Sequence, residues 1–212
     1  MKKVVALLIA GVFVGLAVSG CAERRVVSAD SLMFDASTKW VMENPGHGSR
    51  RLQFRVPSNH AGVEDATVIV WNFPGMRDPG DGTTVQKNID RWCEQFVQGD
   101  GTPSAQVATT AEYRINGLPV HTVDLSGRYV AEVEPGSGLK HDKPAFRMIG
   151  AYVVSPEGDY IVKMIGPQPV VAAHEMAFDD FVKSVRMRDA TYVEPAATTP
   201  PGRRAVLTAN RP

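Results

Sequence analysis

Residues 112–129 read EYRINGLPVHTVDLSGRY, and this stretch decides the fold. Asn116-Gly117 is a pair that accepts the positive φ angles of a type I′ turn, whose twist matches two antiparallel strands. Glu112 to Ile115 and Leu118 to Tyr129 flank the pair, so a β-hairpin is expected here. Downstream, Phe146 to Val154 and Tyr160 to Ile165 flank Pro156-Glu157-Gly158-Asp159, a second hairpin turn. Upstream, Lys39-Trp40-Val41 and Arg51 to Val56 alternate polar and apolar residues as half-buried strands do, and Pro57 ends the second. Ala66 to Phe73 (ATVIVWNF) is rich in β-branched and aromatic residues and reads as a central strand. Successive hairpins imply an antiparallel sheet.

Two helices interrupt the strands. Val85, Ile89, Trp92, Cys93, Phe96 and Val97 recur at helical spacing, with Lys87, Asp90, Arg91 and Glu94 largely opposite. Thr83 and Gln86 have the spacing of a capping box, and Gly99 is the expected stop. Val171, His174, Phe178, Phe181, Val182 and Val185 form the stripe of a second helix, which follows Pro167 and Pro169. Each helix has one apolar stripe to bury. Helices packed on an antiparallel sheet are the simplest way to bury both, so the fold class is α+β, a single domain over 38–188.

The ends of the chain carry the address. Met1-Lys2-Lys3 is a short cationic start, Val4 to Ala17 is almost wholly apolar, and Val18-Ser19-Gly20-Cys21 follows. This is the layout of a bacterial secretory signal over residues 1–20. Its apolar run of 14 residues falls short of the roughly 20 that a spanning helix needs. Leu16 to Cys21 resembles the lipobox of bacterial lipoproteins. That resemblance implies cleavage before Cys21, diacylglycerol on its sulfur and a fatty acyl chain, such as palmitate, on the new amine. Two chains already anchor a protein stably. Ala22, where aspartate would signal inner-membrane retention, favours the outer membrane facing the periplasm. Residues 21–37 lack a sustained period and are expected to tether the domain. Residues 189–212, with Pro195, Pro200, Pro201 and Pro212, read as a flexible tail.

Losing Lys2 and Lys3 with the leader turns an even balance of 23 basic and 23 acidic residues into an acidic excess of two. With no clustered basic run, a nucleic-acid partner is not expected. Once Cys21 is lipidated, Cys93 is left without a partner for a disulfide, so stability has to come from a hydrophobic core.

Asn88-Ile89-Asp90-Arg91-Trp92-Cys93-Glu94-Gln95-Phe96 and Val123-Asp124-Leu125-Ser126-Gly127 resemble the N-I-x-R-W-x-x-Q-F helix and V-D-L-S-G strand of a group of uncharacterised bacterial lipoproteins and secreted proteins. The likeness spans roughly residues 40–187. That group is similar in element order to the Mog1/PsbP-like fold, an antiparallel sheet between helices. Proteins of that fold include extrinsic photosystem II subunits and a Ran-binding protein, so the resemblance implies binding or assembly. Fold likeness does not carry function with it.

Candidate chemistry is sparse. Cys93, beside Trp92 and Phe96, reads as a small buried hydrophobe. None of His47, His60, His121, His141 and His174 pairs at metal-ligand spacing, and no metal or cofactor is expected. Gly80-Asp81-Gly82-Thr83 recurs as Gly99-Asp100-Gly101-Thr102, but a calcium loop counted from Asp78 would close on Ile89, which has no oxygen to offer. Aspartate–glycine turns beside a helix are the better reading. No G-x-S-x-G is present. Asp124 is expected to face Arg91 or Arg147, as an ion pair or a ligand contact. The loop Phe73-Pro74-Gly75-Met76-Arg77-Asp78-Pro79 joins a central strand to a helix, and with Trp71 it is the expected contact surface.

The candidate site residues are therefore Trp71, Met76, Arg77 and Asp124, with Cys21 for lipidation. The leading expectation is a non-enzymatic, lipid-anchored envelope protein that binds another envelope component or supports its assembly. The alternatives are a carrier of a small apolar ligand and an envelope hydrolase or redox enzyme. A deep apolar pocket would favour the carrier, and an exposed patch around Trp71 and Met76 a protein partner.

Overall fold

A computed structural model describes residues 23–46, 48–73, 75–134 and 136–189. Cys21, the leader expected over 1–20 and the tail expected over 189–212, apart from residue 189, lie outside these residues. The elements run β1 (Arg24–Ala29), β2 (Leu32–Ser37), β3 (Val41–Glu43), β4 (Arg50–Val56), β5 (Ala66–Asn72), α1 (Thr83–Cys93), β6 (Phe96–Val97), α2 (Ser104–Val107), β7 (Thr109–Ile115), β8 (Leu118–Tyr129), β9 (Lys143–Val153), β10 (Tyr160–Pro167), α3 (Gln168–Lys183) and β11 (Arg186–Met187). The fold is α+β: an antiparallel sheet in the order β3-β4-β5-β10-β9-β8-β6, with β7 also on β8, and a helix against each face. Both expected hairpins form. Asn116 and Gly117 take φ of 48° and 84°, the left-handed pair that their identities suggested.

The first face buries Phe54, Val68, Val70, Val120, Val162 and Met164 against Val171, Phe178, Phe181 and Val182 of α3. Phe34 stacks on Phe181 at 4.7 Å, and Trp40 meets the same ring edge-on at 5.5 Å. The presence of Phe34 there corrects the tether expected over 21–37. Arg24–Ala29 and Leu32–Ser37 pair as a hairpin, and β11 adds a third strand beside β2. Leu32, Phe34 and Ala36 alternate and are fully buried. The domain thus begins by residue 24. These first two strands are only six residues long, joined through Asp30-Ser31, so no longer period shows in the sequence.

The opposite face carries α1. Val85, Ile89, Trp92 and Cys93 pack on Val123, Leu125, Met148, Tyr152 and Ile161. Trp92 lies directly on the sheet because position 150 is glycine: a β-carbon there would stand 3.0 Å from a Trp92 ring carbon. Two details differ from expectation. The helix stops at Cys93, and Phe96–Val97 instead pair with Tyr129 and Arg128 of β8, where the Phe96 and Tyr129 rings meet at 5.3 Å. The expected Thr83/Gln86 box is not used, since Gln86 donates to Asp90 at 2.7 Å. Asp78 caps instead, its carboxylate accepting the N–H groups of Gly80, Gly82, Thr84 and Val85 at 2.8–3.4 Å. Among the described residues no helix is long and apolar enough to cross a membrane.

Candidate functional site

α1 is short and covers only part of its face. Over β5 and β10 an open cleft of about 770 Å³ remains. Cross-strand partners share a face in an antiparallel sheet; Ile161 pairs with Trp71 and Lys163 with Ile69, so these four side chains form the floor. Trp92 and Gln95, from α1 and the turn after it, make one wall. Tyr129 and His141, whose rings stack at 5.3 Å, line another.

Lys163 is the chemically unusual group. It is the one charged residue of β10 (YIVKMIGP) and sits on the central strand, only 8% exposed. Its Nζ donates to Gln95 Oε1 at 3.1 Å and lies 5.6 Å from the Trp92 ring centroid. No carboxylate of the described residues lies within ion-pair distance of it. Burial, reinforced by the nearby Arg91 charge, pushes the ammonium down to about 7. A lysine in this setting exchanges its proton near neutral pH and has no built-in counter-charge.

Two neighbours repeat the pattern. Arg91 Nη2 donates to Asn88 Oδ1 at 2.7 Å, and Arg50 Nη1 to Gln53 Oε1 at 3.1 Å. Lys163, Arg91 and Arg50 thus each rest on a side-chain amide.

The sequence-derived site residues are not brought together. Trp71 is half-buried in the cleft. Met76 is also half-buried but packs beside Asn88, outside the cleft. Exposed Arg77 donates to the Pro156 carbonyl at 2.6 Å, tying its loop to the β9–β10 turn. Asp124 lies on the α3 face, where Arg147 donates to both its oxygens at 2.8 and 2.5 Å and to Glu175 at 2.7 Å. Those two carboxylates hold the Arg147 guanidinium above its usual range, against the opposing effect of burial. Arg91, the other expected partner of Asp124, is on the opposite face with α1.

The remaining titratable groups are structural in their contacts. Burial, and then Asp90 and Glu94, raise the Cys93 thiol. His174 accepts from Trp40 Nε1 at 3.3 Å and faces the Pro57 carbonyl at 3.2 Å; burial lowers it. This partner set fits the neutral ring with the proton on Nε2. Burial would raise Asp78, but its four backbone N–H bonds hold it below the usual value. Asp81 and Asp100 each accept a threonine N–H two residues on at 2.9 Å, so the repeated Gly-Asp-Gly-Thr forms the same turn twice. Among the described residues no group of three or more His, Cys, Asp or Glu is placed to hold a metal ion.

Lys163 was not singled out in the sequence. Its signal is a lone lysine inside an apolar strand that lies between two others, which becomes unusual only once the strand order is known.

No family model matches the chain, and no curated protein matches it in sequence. Among solved structures it is similar to PsbP (CyanoP) of the cyanobacterium Synechocystis, at 14% identity and a TM-score of 0.48 over 80% of this chain and 95% of that one. It is also similar to a Pseudomonas aeruginosa protein of unknown function, at 9% identity and a TM-score of 0.46 over 78% and 98%. A third similar structure, from Bacteroides thetaiotaomicron, has 10% identity and a TM-score of 0.43; the match covers 82% of this chain but 51% of that one. These are likenesses of strand and helix arrangement, and no residue role passes from them to this chain.

Proposed function

We propose that this chain is a lipid-anchored protein of the bacterial cell envelope, outer membrane in preference to inner, that acts by binding another envelope component and not by catalysis. The binding place is the cleft over β5 and β10. One observation carries this reading: a 770 Å³ opening whose floor combines an aromatic surface, Trp71, with a buried lysine that has no carboxylate partner. Uncompensated buried charge costs stability, so its retention in a core strand is best explained by a task. Anchoring rests on the leader and Cys21.

A second reading keeps the apolar carrier. A cavity of about 540 Å³ between β7 and α3 is lined by Tyr113, Ile115, Ile149, Met176 and Phe178. Crosslinking separates the two. A photoreactive phenylalanine analogue at position 71, irradiated in native envelopes, should give a discrete adduct, whereas the same analogue at position 176 should not. Adducts only at 176 would favour the carrier, and adducts at neither would defeat both. Cys21→Ala should abolish palmitate labelling; label that persists in this variant would contradict the anchor.

A further inference from the structure

We infer that the cleft takes a small ligand made of a flat apolar body and a single carboxylate, with the carboxylate docking on Lys163. This rests on the binding reading of the same cleft and names the chemical class it accepts.

The first support is charge without counter-charge. Elsewhere Arg147, Arg186, Arg128 and Arg55 each meet aspartate or glutamate at 2.5–2.8 Å, while Arg25, Arg77 and Arg114 rest on backbone carbonyls. In the cleft, Arg50, Arg91 and Lys163 have only the amides of Gln53, Asn88 and Gln95. An amide oxygen satisfies a proton but does not neutralise a charge. Lys163 is more than nine-tenths buried and still lines the opening, so an entering anion is the counter-charge that can reach it.

The second support is the count of charges around it. Lys140 adds another cation at the rim, while Glu94 and Glu132 supply two negative charges, and Glu132 is already engaged by the Gly136 N–H at 2.7 Å. Two acids against four cations leave a positive excess, and since Arg50, Arg91 and Lys140 are exposed and screened by water, the one buried docking point is the single charge of Lys163, suited to one carboxylate. Tyr129 and His141 stand on the same side and bring no negative charge at neutral pH.

The third is shape. Trp71 and Trp92 on the floor and wall, with Tyr129 and Phe73 nearby, offer flat apolar surface beside Lys163. Rings prefer such faces in offset or edge contact. Half-polar walls do not suit a wholly apolar guest.

Because Lys163 is near half-protonated at pH 7, a carboxylate that binds its charged form must draw a proton from solvent above that pH. The test is titration calorimetry of the full chain in non-ionic detergent with 2-naphthoate. It is run at pH 8 in two buffers of different ionisation enthalpy, beside the neutral analogue 2-naphthylmethanol. Naphthoate is expected to bind with uptake approaching one proton, and the alcohol at least tenfold more weakly. Lys163→Met should lose at least tenfold in affinity and all of the uptake. Arg91→Gln, at an exposed helix position that does not endanger folding, should weaken binding several-fold and keep the uptake. Equal affinity for acid and alcohol would overturn the inference. So would a folded Lys163→Met that binds naphthoate like the wild type, or no naphthoate binding up to about 10 mM, well beyond the weakest useful affinity of about 1 mM. Crosslinking at position 71 together with any of these failures would leave the binding function standing and remove only the carboxylate class.

Discussion

Arg147 and Lys163, on opposite faces of the sheet, are held in opposite ways. On the α3 face, Arg147 is held between Asp124 and Glu175, and the aromatic cluster of Phe34, Trp40, Phe54 and Phe181 closes the rest. On the α1 face, Lys163 sits deeper than Arg147 yet meets only an amide and a ring. The first arrangement stabilises the fold; the second gives up stability where the cleft opens. The difference separates a part of the molecule that holds it together from a part where a buried charge lies beside an opening.

The largest effect should come from the α3 face. Phe181→Ala removes a fully buried ring that touches Phe34, Trp40 and Phe54 and should cost about 3–5 kcal/mol, seen as a lowered urea midpoint. Loss of under about 1 kcal/mol would mean that this cluster is not the core.

Next is Lys163→Met, which should stabilise the protein by about 1–4 kcal/mol at pH 7, as replacing a poorly compensated buried charge by an apolar side chain does. Its pH dependence sharpens the contrast. The folded-state value of about 7 lies below the unfolded value of about 10.4. The unfolded chain therefore binds more protons between them, and wild-type stability gains from this group as pH rises from 7 towards 10. The gain is best read between about pH 7 and 8, before the unfolded thiol of Cys93, with its ordinary value of about 8.5, and then the phenols of Tyr129 and Tyr152, all raised in the folded state, begin to oppose it. Lys163→Met should flatten the rise, and an unchanged slope would contradict the assignment.

Asp124→Asn, a third test, leaves Arg147 with Glu175 alone and should cost about 1–3 kcal/mol without changing naphthoate affinity. Lost affinity there would show that the two faces are coupled. The smallest effect is expected from Arg77→Ala, which removes an exposed bond to the Pro156 carbonyl and should stay within about 0.5 kcal/mol.

Much of the architecture was legible because it is written in local chemistry. The Asn116-Gly117 turn, the alternation of Arg51 to Val56 and the stripe from Val171 to Val182 each specify an element by themselves. What escaped depends on partners remote in sequence. Phe96–Val97 continue a helical stripe but are claimed by Tyr129 and Arg128 of β8. Leu32, Phe34 and Ala36 alternate plainly, yet the short strands around Asp30-Ser31 read as a tether until Phe181 is seen against Phe34. At the site, Trp71 was a candidate through the loop that follows its strand, and it lines the cleft. Asp124 does pair with Arg147, one of its two expected partners, and only the choice between Arg147 and Arg91 needed the sheet faces to be known. Lys163 was missed since burial of a lysine follows from strand order, and strand order is not local.

Lys163 is an uncompensated amine beneath an open cleft, and its proton can be observed directly. With lysine labelled by ¹³C at Cε, a pH titration of the full chain by NMR should show one resonance with a midpoint near 7, absent in Lys163→Met. That midpoint should move upward when 2-naphthoate is added. If every lysine titrates near the ordinary value of about 10.4, Lys163 is either solvated or paired, and the contrast between the two faces disappears.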